Sequence, residues 1–367
     1  MDKIRLEDCC EILDSMRVPI TASDRVEGPY PYYGANGIQD HVAGYIFDDE
    51  LVLLAEDGGN FGSKERPIAY RVSGKCWVNN HAHVLRPKEG LDVDYLCYSL
   101  MFYNVGGMVN GATRQKLTQA AMRQMLIPKR TIEEQKRIVD LLAKVVDVRE
   151  KRQHELDYLD KLIKARFVEL FGDPRINPFG YDKKELGTTC KVITGNTPSR
   201  KVSEYYGDYM EWIKTDNIVS GVLNPTEAAE YLSESGANEG RYVDENAILM
   251  ACIAGSIASI GRVCVTDRRV AFNQQINAIV PKEYNTLFLY TLLQVSKDYL
   301  VEDINMALKG ILSKSKLEEK VFIVPPMELQ NQFADFIEQV DKSKVAVQKS
   351  LDETQMLFDS LMQDYFG

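Results

Sequence analysis

A stretch of forty residues that occurs twice sets what this chain can fold into. Residues 131–172 read TIEEQKRIVDLLAKVVDVREKRQHELDYLDKLIKARFVELFG. Thr131 and Glu134 have the spacing of a capping box just after Pro128. Gly172 stands where a left-handed C-cap belongs, and Pro174 bars continuation. Between these ends Ile138, Leu142, Val145, Leu156, Leu159, Ile163 and Leu170 recur mostly at three- and four-residue steps, the pattern of one helical face. Asp157/Lys161 and Asp160/Lys164 add i,i+4 pairs in the favourable acid-first order. Forty helical residues span roughly 60 Å, well beyond an ordinary globular helix.

Shifting the chain by 195 lays residues 133–172 on 328–367 without a gap. Glu133/Glu328, Gln135/Gln330, Asp140/Asp335, Val145/Val340, Gln153/Gln348, Leu156/Leu351, Asp157/Asp352, Leu162/Leu357, Phe171/Phe366 and Gly172/Gly367 coincide. Phe333, Ile337, Val340, Val347, Leu351, Phe358, Leu361 and Tyr365 form the second apolar stripe, and Arg149 and Lys344 interrupt the two stripes at the same place. A lone amphipathic helix cannot bury its stripe, so two long ones in one chain are expected to pack together as an antiparallel pair. Two unrelated helices lying on separate domains would not explain a gapless match.

The segments between the helices, 1–130 and 173–327, read as mixed modules of short strands and turns. Strands are predicted at 51–55, 69–72 and 76–85, and again at 247–253, 261–265 and 277–280. Each module then has an amphipathic helix, at 95–103 and 287–300. The modules are themselves weaker repeats. With an offset of 180, Leu6 and Cys10 fall on Leu186 and Cys190, and YPYYGANGI (30–38) falls on MEWIKTDNI (210–218). With an offset of 194, NNHAHVLRP (79–87) falls on NQQINAIVP (273–281), and Leu117/Leu312 and Met122/Leu317 restore 195. The chain therefore reads as a whole-length duplication. Its expected domains are 1–130, a central helix 131–172, 173–327 and a C-terminal helix 328–367, in an α+β fold with a pseudo-twofold internal repeat.

Composition narrows the setting. The chain has 367 residues, 45% hydrophobic and 27% charged, a globular balance with room for two or three cores. MDKIRLED is charged from the start, unlike a secretory leader, and the uncharged run 246–261 is too short and too rich in small residues to span a bilayer. Seven cysteines without a CxxC pair imply reduced thiols and a cytoplasmic location. The net charge of −10 argues against nucleic acid until it is divided: −2 on 1–130, 0 on 131–172, −3 on 173–327 and −5 on 328–367. The modules are near neutral, which leaves room for a basic face.

The duplicated layout, LFGDPRINPFGY (170–181) after the first helix, YYGANGI, and the paired NNHAHVL and NQQINAIVP blocks resemble the specificity subunits of type I restriction–modification systems. The resemblance covers essentially the whole chain. It implies two target-recognition domains joined by two long antiparallel helices that act as a coiled-coil spacer. Each domain would read half of a bipartite double-stranded DNA target, with no catalytic residue in this chain. It also implies docking of methyltransferase subunits, two per chain, and of restriction/translocase subunits through the complex. S-adenosylmethionine, ATP and Mg²⁺ would be bound by those partners and not by this chain.

The motifs agree with a non-catalytic role. There is no GxxxxGK[ST] loop. Asn177, Pro178 and Phe179 only faintly resemble an adenine-methyltransferase loop, and a turn after Gly172 is the simpler reading. Gly58, Gly59 and Gly62 suffice for a strand connection. His81 and His83 share a strand face but have no third ligand in a sequence pattern, so no metal is expected and His83 is assigned to an inner polar network.

Base recognition needs Arg or Lys for guanine and Asn or Gln for adenine. The candidates in the first module are Asn36, Asn79, Asn80, His81, Arg114 and Gln115, with Lys64, Arg66 and Lys116 for phosphates. In the second they are Thr197, Ser199, Arg200, Asp216, Asn217, Gln274 and Gln275, with Lys201, Lys214, Arg262 and Lys309 for phosphates. Tyr30, Tyr32, Tyr33 and Trp212 are assigned to packing. A methyltransferase carrying its own recognition domain would need a cofactor loop. A bare coiled-coil scaffold or adaptor without sequence-specific DNA binding would not need two diverged polar modules.

Overall fold

The computed structural model describes residues 2–367 except 112–113, 303 and 305–309. The chain divides into two compact units. One comprises Met1–Lys151 with Leu351–Gly367, the other Arg152–Ser350, so both long helices run from one unit into the other. The unit limits thus fall within the two long helices.

In the first unit a six-stranded sheet is built from β1 (Cys10–Ile12), β2 (Glu27–Gly34), β3 (Gly37–Val42), β4 (Phe47–Ala55), β5 (Ala69–Val78) and β6 (Ala82–Pro87). Its order is β1-β6-β4-β5-β2-β3. All neighbours are antiparallel except β5 and β2, where Tyr32 pairs with Trp77 in parallel. The central strand β4 is buried on both faces. Val52 and Leu54 enter a core with Leu96 and Leu100 of the helix Val93–Met101, while Leu51 and Leu53 enter another with Val72, Cys76 and Val84. That is why 51–55 reads as a continuous apolar run and not as an alternation.

The second unit repeats this plan. β7 (Cys190–Thr194), β9 (Ile248–Ala251), β10 (Val263–Val265) and β12 (Ile276–Pro281) form a sheet in the order β7-β12-β9-β10, and β8 (Met210–Ile213) pairs in parallel with β11 (Val270–Phe272). Trp212 faces Ala271 there, the positions that Tyr32 and Trp77 occupy in the first unit. Ile248 and Met250 point into one core, Leu249 and Ala251 into another.

The equivalence extends to single hydrogen bonds. Asn79 N donates to Tyr33 O at 3.0 Å and Asn273 N to Ile213 O at 3.1 Å. Gln135, buried on the first long helix, accepts from the backbone of Asp92 at 2.8 Å and donates to Arg130 O and Gly90 O, each at 3.0 Å. Its counterpart Gln330 accepts from Asn285 N at 2.9 Å and donates to Pro325 O at 2.8 Å. Asp92 and Asn285 are the N-caps of the two module helices, so one glutamine ties each long helix to its module.

The long helices span Ile132–Phe171 and Met327–Phe366. The capping box is present: Thr131 N donates to Glu134 Oε2 at 2.9 Å and Glu134 N to Thr131 Oγ1 at 3.3 Å. Gly172 has φ 69°, the left-handed cap. Within each unit the helices lie antiparallel, since partner numbers fall on one as they rise on the other. In the first unit Arg130 donates to Tyr365 O at 3.3 Å, and Ile138, Leu142 and Val145 share a core with Phe358. In the second, Phe167 and Phe171 meet Phe333 with ring centroids 5.6 and 5.5 Å apart, and Ile163 and Ile337 belong to the same core. Val340 is buried, whereas Leu156, Leu159 and Leu351 are half-buried. Phe167, fully buried one turn beyond Ile163, is a central packing residue absent from the expected stripe.

The polar interruptions also make helix-to-helix bonds. Arg149 Nη1 donates to Gln355 Oε1 at 3.1 Å, and Lys344 Nζ donates to Asp160 Oδ1 at 2.8 Å. The 195-residue shift turns 149 into 344 and 160 into 355, so each pair is the other with the helix roles exchanged.

Three local expectations are corrected. The predicted strand 76–85 is two strands, β5 and β6, because Asn79 Oδ1 accepts from His81 N at 2.8 Å and turns the chain. The predicted strand 247–253 ends at Ala251, and Ile253–Ala254 pairs separately with Gly310–Ile311. The predicted helix 287–300 breaks at Ser296 into Thr286–Val295 and Lys297–Val301. The Asn177 region is a turn as expected: Asn177 has φ 54° and its side chain bonds both ways with the backbone of Tyr181. All seven cysteines are buried and none forms a disulfide. No helix among the described residues is long and apolar enough to cross a membrane.

Candidate nucleic-acid interface

The candidate residues of the first unit gather where β2, β4 and β5 end. The β4 exit, Glu56 and Asp57, is hydrogen-bonded on one side to His81 (Glu56 N to His81 O, 2.8 Å) and on the other to the 115–117 segment (Leu117 N to Glu56 O, 2.7 Å; Gly58 N to Gln115 O, 3.2 Å). Asn36, from the turn between β2 and β3, donates to Gly58 O at 3.0 Å. Asn36, His81, Arg114, Gln115 and Lys116 are thereby brought together. Asn80 is exposed beside them, while Lys64 and Arg66 are exposed in the loop that follows Gly62. Asn79 is buried; its amide donates to Gln39 Oε1 at 3.0 Å and its oxygen holds the His81 turn, so it shapes the loop from inside.

Asp57 is the residue that sequence reasoning missed here: it precedes Gly58 and Gly59, and no local pattern marks it as a partner of His81 or Arg114. Its Oδ1 lies 2.6 Å from His81 Nδ1 and accepts from Arg114 Nη2 at 2.9 Å. A carboxylate only accepts, so His81 Nδ1 carries the hydrogen that faces Asp57.

Beneath this surface lies a buried network. His83, fully buried, places Nδ1 2.7 Å from Asp14 Oδ2 and Nε2 2.9 Å from Leu117 O. Arg17 donates to Glu56 Oε2 at 2.7 Å, and Lys116 Nζ lies 2.9 Å from Glu56 Oε1. Burial by itself would raise both carboxyls. Hydrogen bonds from His83, Gln119 and Val84 hold Asp14 below its usual range, and those from Arg17 and Lys116 do the same for Glu56. His83 is the inner-network residue it was expected to be, but its acidic partners, distant in sequence, were not foreseen. Asp14, Glu56 and His83 bring possible ligand atoms within 4.8 Å of one another. The side chains of Arg17 and Lys116 already neutralise the two acids, so the donor set is that of an internal ion-pair network.

In the second unit Asn273 and Gln275 repeat the Asn79–His81 turn: Gln275 N donates to Asn273 Oδ1 at 3.0 Å. Gln274 projects next to it and accepts from the Thr197 hydroxyl, which joins the 195–199 loop to the turn. Arg200 lies 4.4 Å from the centroid of Tyr206 and 5.1 Å from that of Trp212, and donates to Glu230 Oε2 at 2.6 Å. Lys214 bonds the other oxygen of Glu230, and these two hydrogen bonds hold the Glu230 carboxyl below its ordinary range. Trp212 is 3% exposed and Tyr32 1%, the packing roles expected of them.

Ser199, Lys201 and Asp216 are exposed. Asn217 caps the turn after β8 by accepting from Lys214 N at 3.0 Å, and Arg262 is half-buried with bonds to Thr215 O and Ser259 O. Lys309 lies outside the described residues.

A family model for the type I restriction modification DNA specificity domain matches residues 1–158 and 178–354. The chain belongs to that family. A putative type I restriction enzyme specificity subunit, S.HindORF215P of Haemophilus influenzae, is 28% identical over 352 residues, covering 92% of this chain and 86% of that protein. The crystal structure of a type I restriction–modification S subunit from M. genitalium superposes with a TM-score of 0.61 at 14% identity, covering 100% of this chain and 96% of that one. A chain from a study of complex assembly and conformational transition in the type I system gives 0.58 at 17% identity, covering 100% and 97%. Both structural likenesses concern the fold: two mixed modules and two long helices.

Proposed function

We propose that this chain supplies DNA sequence specificity to a type I restriction–modification complex. Each unit reads one half of a bipartite target, through 36, 80–81 and 114–116 in the first and 197–201, 214 and 274–275 in the second. The observation that carries this reading is the contrast within the duplication. The helix pairs repeat with roles exchanged, and both glutamines accept from the N-cap N–H of their module helix and donate to the carbonyl five residues back. The side chains at the same loop positions differ, His81 against Gln275 and Asn80 against Gln274. A shared frame with different polar tips suits a protein that must read two different sequences in one geometry.

The long helices fix the separation of the half-sites and dock two methyltransferase subunits, which carry S-adenosylmethionine; ATP and Mg²⁺ belong to the restriction/translocase subunits. This chain has no catalytic step of its own and acts in the cytoplasm. A scaffold without sequence-specific binding would have no use for differing tips on matched loops.

Exchange of residues 1–130 for the corresponding module of another family member tests the reading. In cells that co-express the methyltransferase subunits, sequencing of methylated positions should show one half of the motif replaced and the other kept. A motif changed in both halves, or in neither, would refute independent reading. Binding of S-adenosylmethionine to the isolated chain would count against the division of labour.

A further inference from the structure

The loop cluster of the first unit contains an arginine held for one use. Arg114 is 61% exposed in its side chain, yet its guanidinium is pinned: Nη2 donates to Asp57 Oδ1 at 2.9 Å, and Asp57, 19% exposed, is itself fixed by His81 Nδ1 at 2.6 Å. Gly58, at φ 63°, adopts the left-handed turn that glycine favours, and the guanidinium lies alongside it: a Cβ built there would be in ordinary contact with Arg114 Nε at 3.5 Å and Nη2 at 3.6 Å. Only Nη2 is hydrogen-bonded among the described residues, which leaves further donors of the fork for a ligand.

An exposed ion pair of this kind contributes little to stability, so holding the fold together is a poor explanation for it. A phosphate is a poor partner too, because the Asp57 carboxylate offsets the arginine charge and would repel a phosphate set beside it. A neutral acceptor pair is a good one. Guanine presents N7 and O6 in the major groove, the geometry that an arginine fork matches, and an arginine already oriented loses less rotamer freedom on binding.

We propose that Arg114, aimed by Asp57 and His81, reads a guanine in the half-site of the first unit, with Asp57 as the positioning residue. This rests on the specificity reading above and adds a base identity to it. The half-site must then contain a G·C pair.

The test uses the full chain with its methyltransferase subunits. Duplexes of the methylated target carry 7-deazaguanine at one position at a time, which removes N7 and keeps pairing. At one guanine of the first unit's half-site, assigned by the module exchange, the substitution should weaken binding of the wild-type complex by about 5- to 150-fold. Arg114→Ala and Asp57→Asn should both lose that discrimination and keep it at every other position; a role confined to loop structure would blur all positions together. A half-site without a G·C pair overturns the proposal, as does wild-type indifference to every 7-deazaguanine. So does an Arg114→Ala complex weakened equally on all sequences with a salt slope lower by about one, the mark of a phosphate contact. Loss of all sequence selectivity in the wild type would instead remove the specificity reading itself, and the proposal with it.

Discussion

Replacing Gln330 by Met examines the tie between a long helix and its module. Gln330 is fully buried and makes two bonds, accepting from Asn285 N at 2.9 Å and donating to Pro325 O at 2.8 Å. Methionine keeps the length of the side chain and removes both partners, so one N–H and one C=O lose their bonds inside the second unit. Each orphaned buried group costs about 1–3 kcal/mol, so roughly 2–6 kcal/mol is expected for the pair. With a urea dependence of about 2 kcal/mol/M, the unfolding midpoint should fall by about 1–3 M.

The chain has two tryptophans, one in each unit, Trp77 in the first and Trp212 in the second. Trp77→Phe and Trp212→Phe backgrounds therefore report the units separately by fluorescence. The Trp212 transition should move by the full amount and the Trp77 transition by much less. Gln332→Met, at an exposed position two residues along, should stay within about 0.5 kcal/mol of wild type. Equal shifts at both tryptophans, or a Trp212 shift no larger than that of the control, would refute the tie.

Phe167→Ala removes a fully buried ring that packs on Phe171, Phe288 and Phe333; a loss of about 3–5 kcal/mol in the second unit is expected by urea unfolding, and less than about 1 kcal/mol would deny Phe167 its central place. Asp14 and Glu56 have carboxyls held below their usual values, so their contribution is complete above the unfolded range near about 4 and is lost as pH falls through the folded values. Asp14→Asn should therefore cost about 1–3 kcal/mol at pH 7, a difference that shrinks below about pH 4 when read at Trp77; a pH-independent difference would contradict the network. Four residues inserted near Val148, and four at the facing position of the second helix, add about 6 Å and about 40°. The methylated half-sequences should persist with a changed gap or lost binding, and a base changed inside either half would make the helices part of the reading surface.

The helices were legible because amphipathic periodicity and caps are local. Thr131, Glu134 and Gly172 act within one turn of themselves, and the 195-residue repeat needs only comparison of the chain with itself. The matching positions that carry the parallel strand pairs and the glutamine ties also lay within reach of the sequence, through the offsets of 180 and 194 for the strands and 195 for the glutamines, although the bonds themselves could not be read from it. Only the tertiary structure decided which polar side chains are tips and which are braces. Asn79 and Asn80 are neighbours of one type, yet one is buried and the other exposed, because the direction of a turn depends on bonds to Tyr33 and Gln39, some forty residues away. Asp57 beside Arg114, and Asp14 beside His83, are separated by 57 and 69 residues. Charge pairs between residues so far apart form through space, at distances that folding alone sets, and no pattern along the chain encodes them.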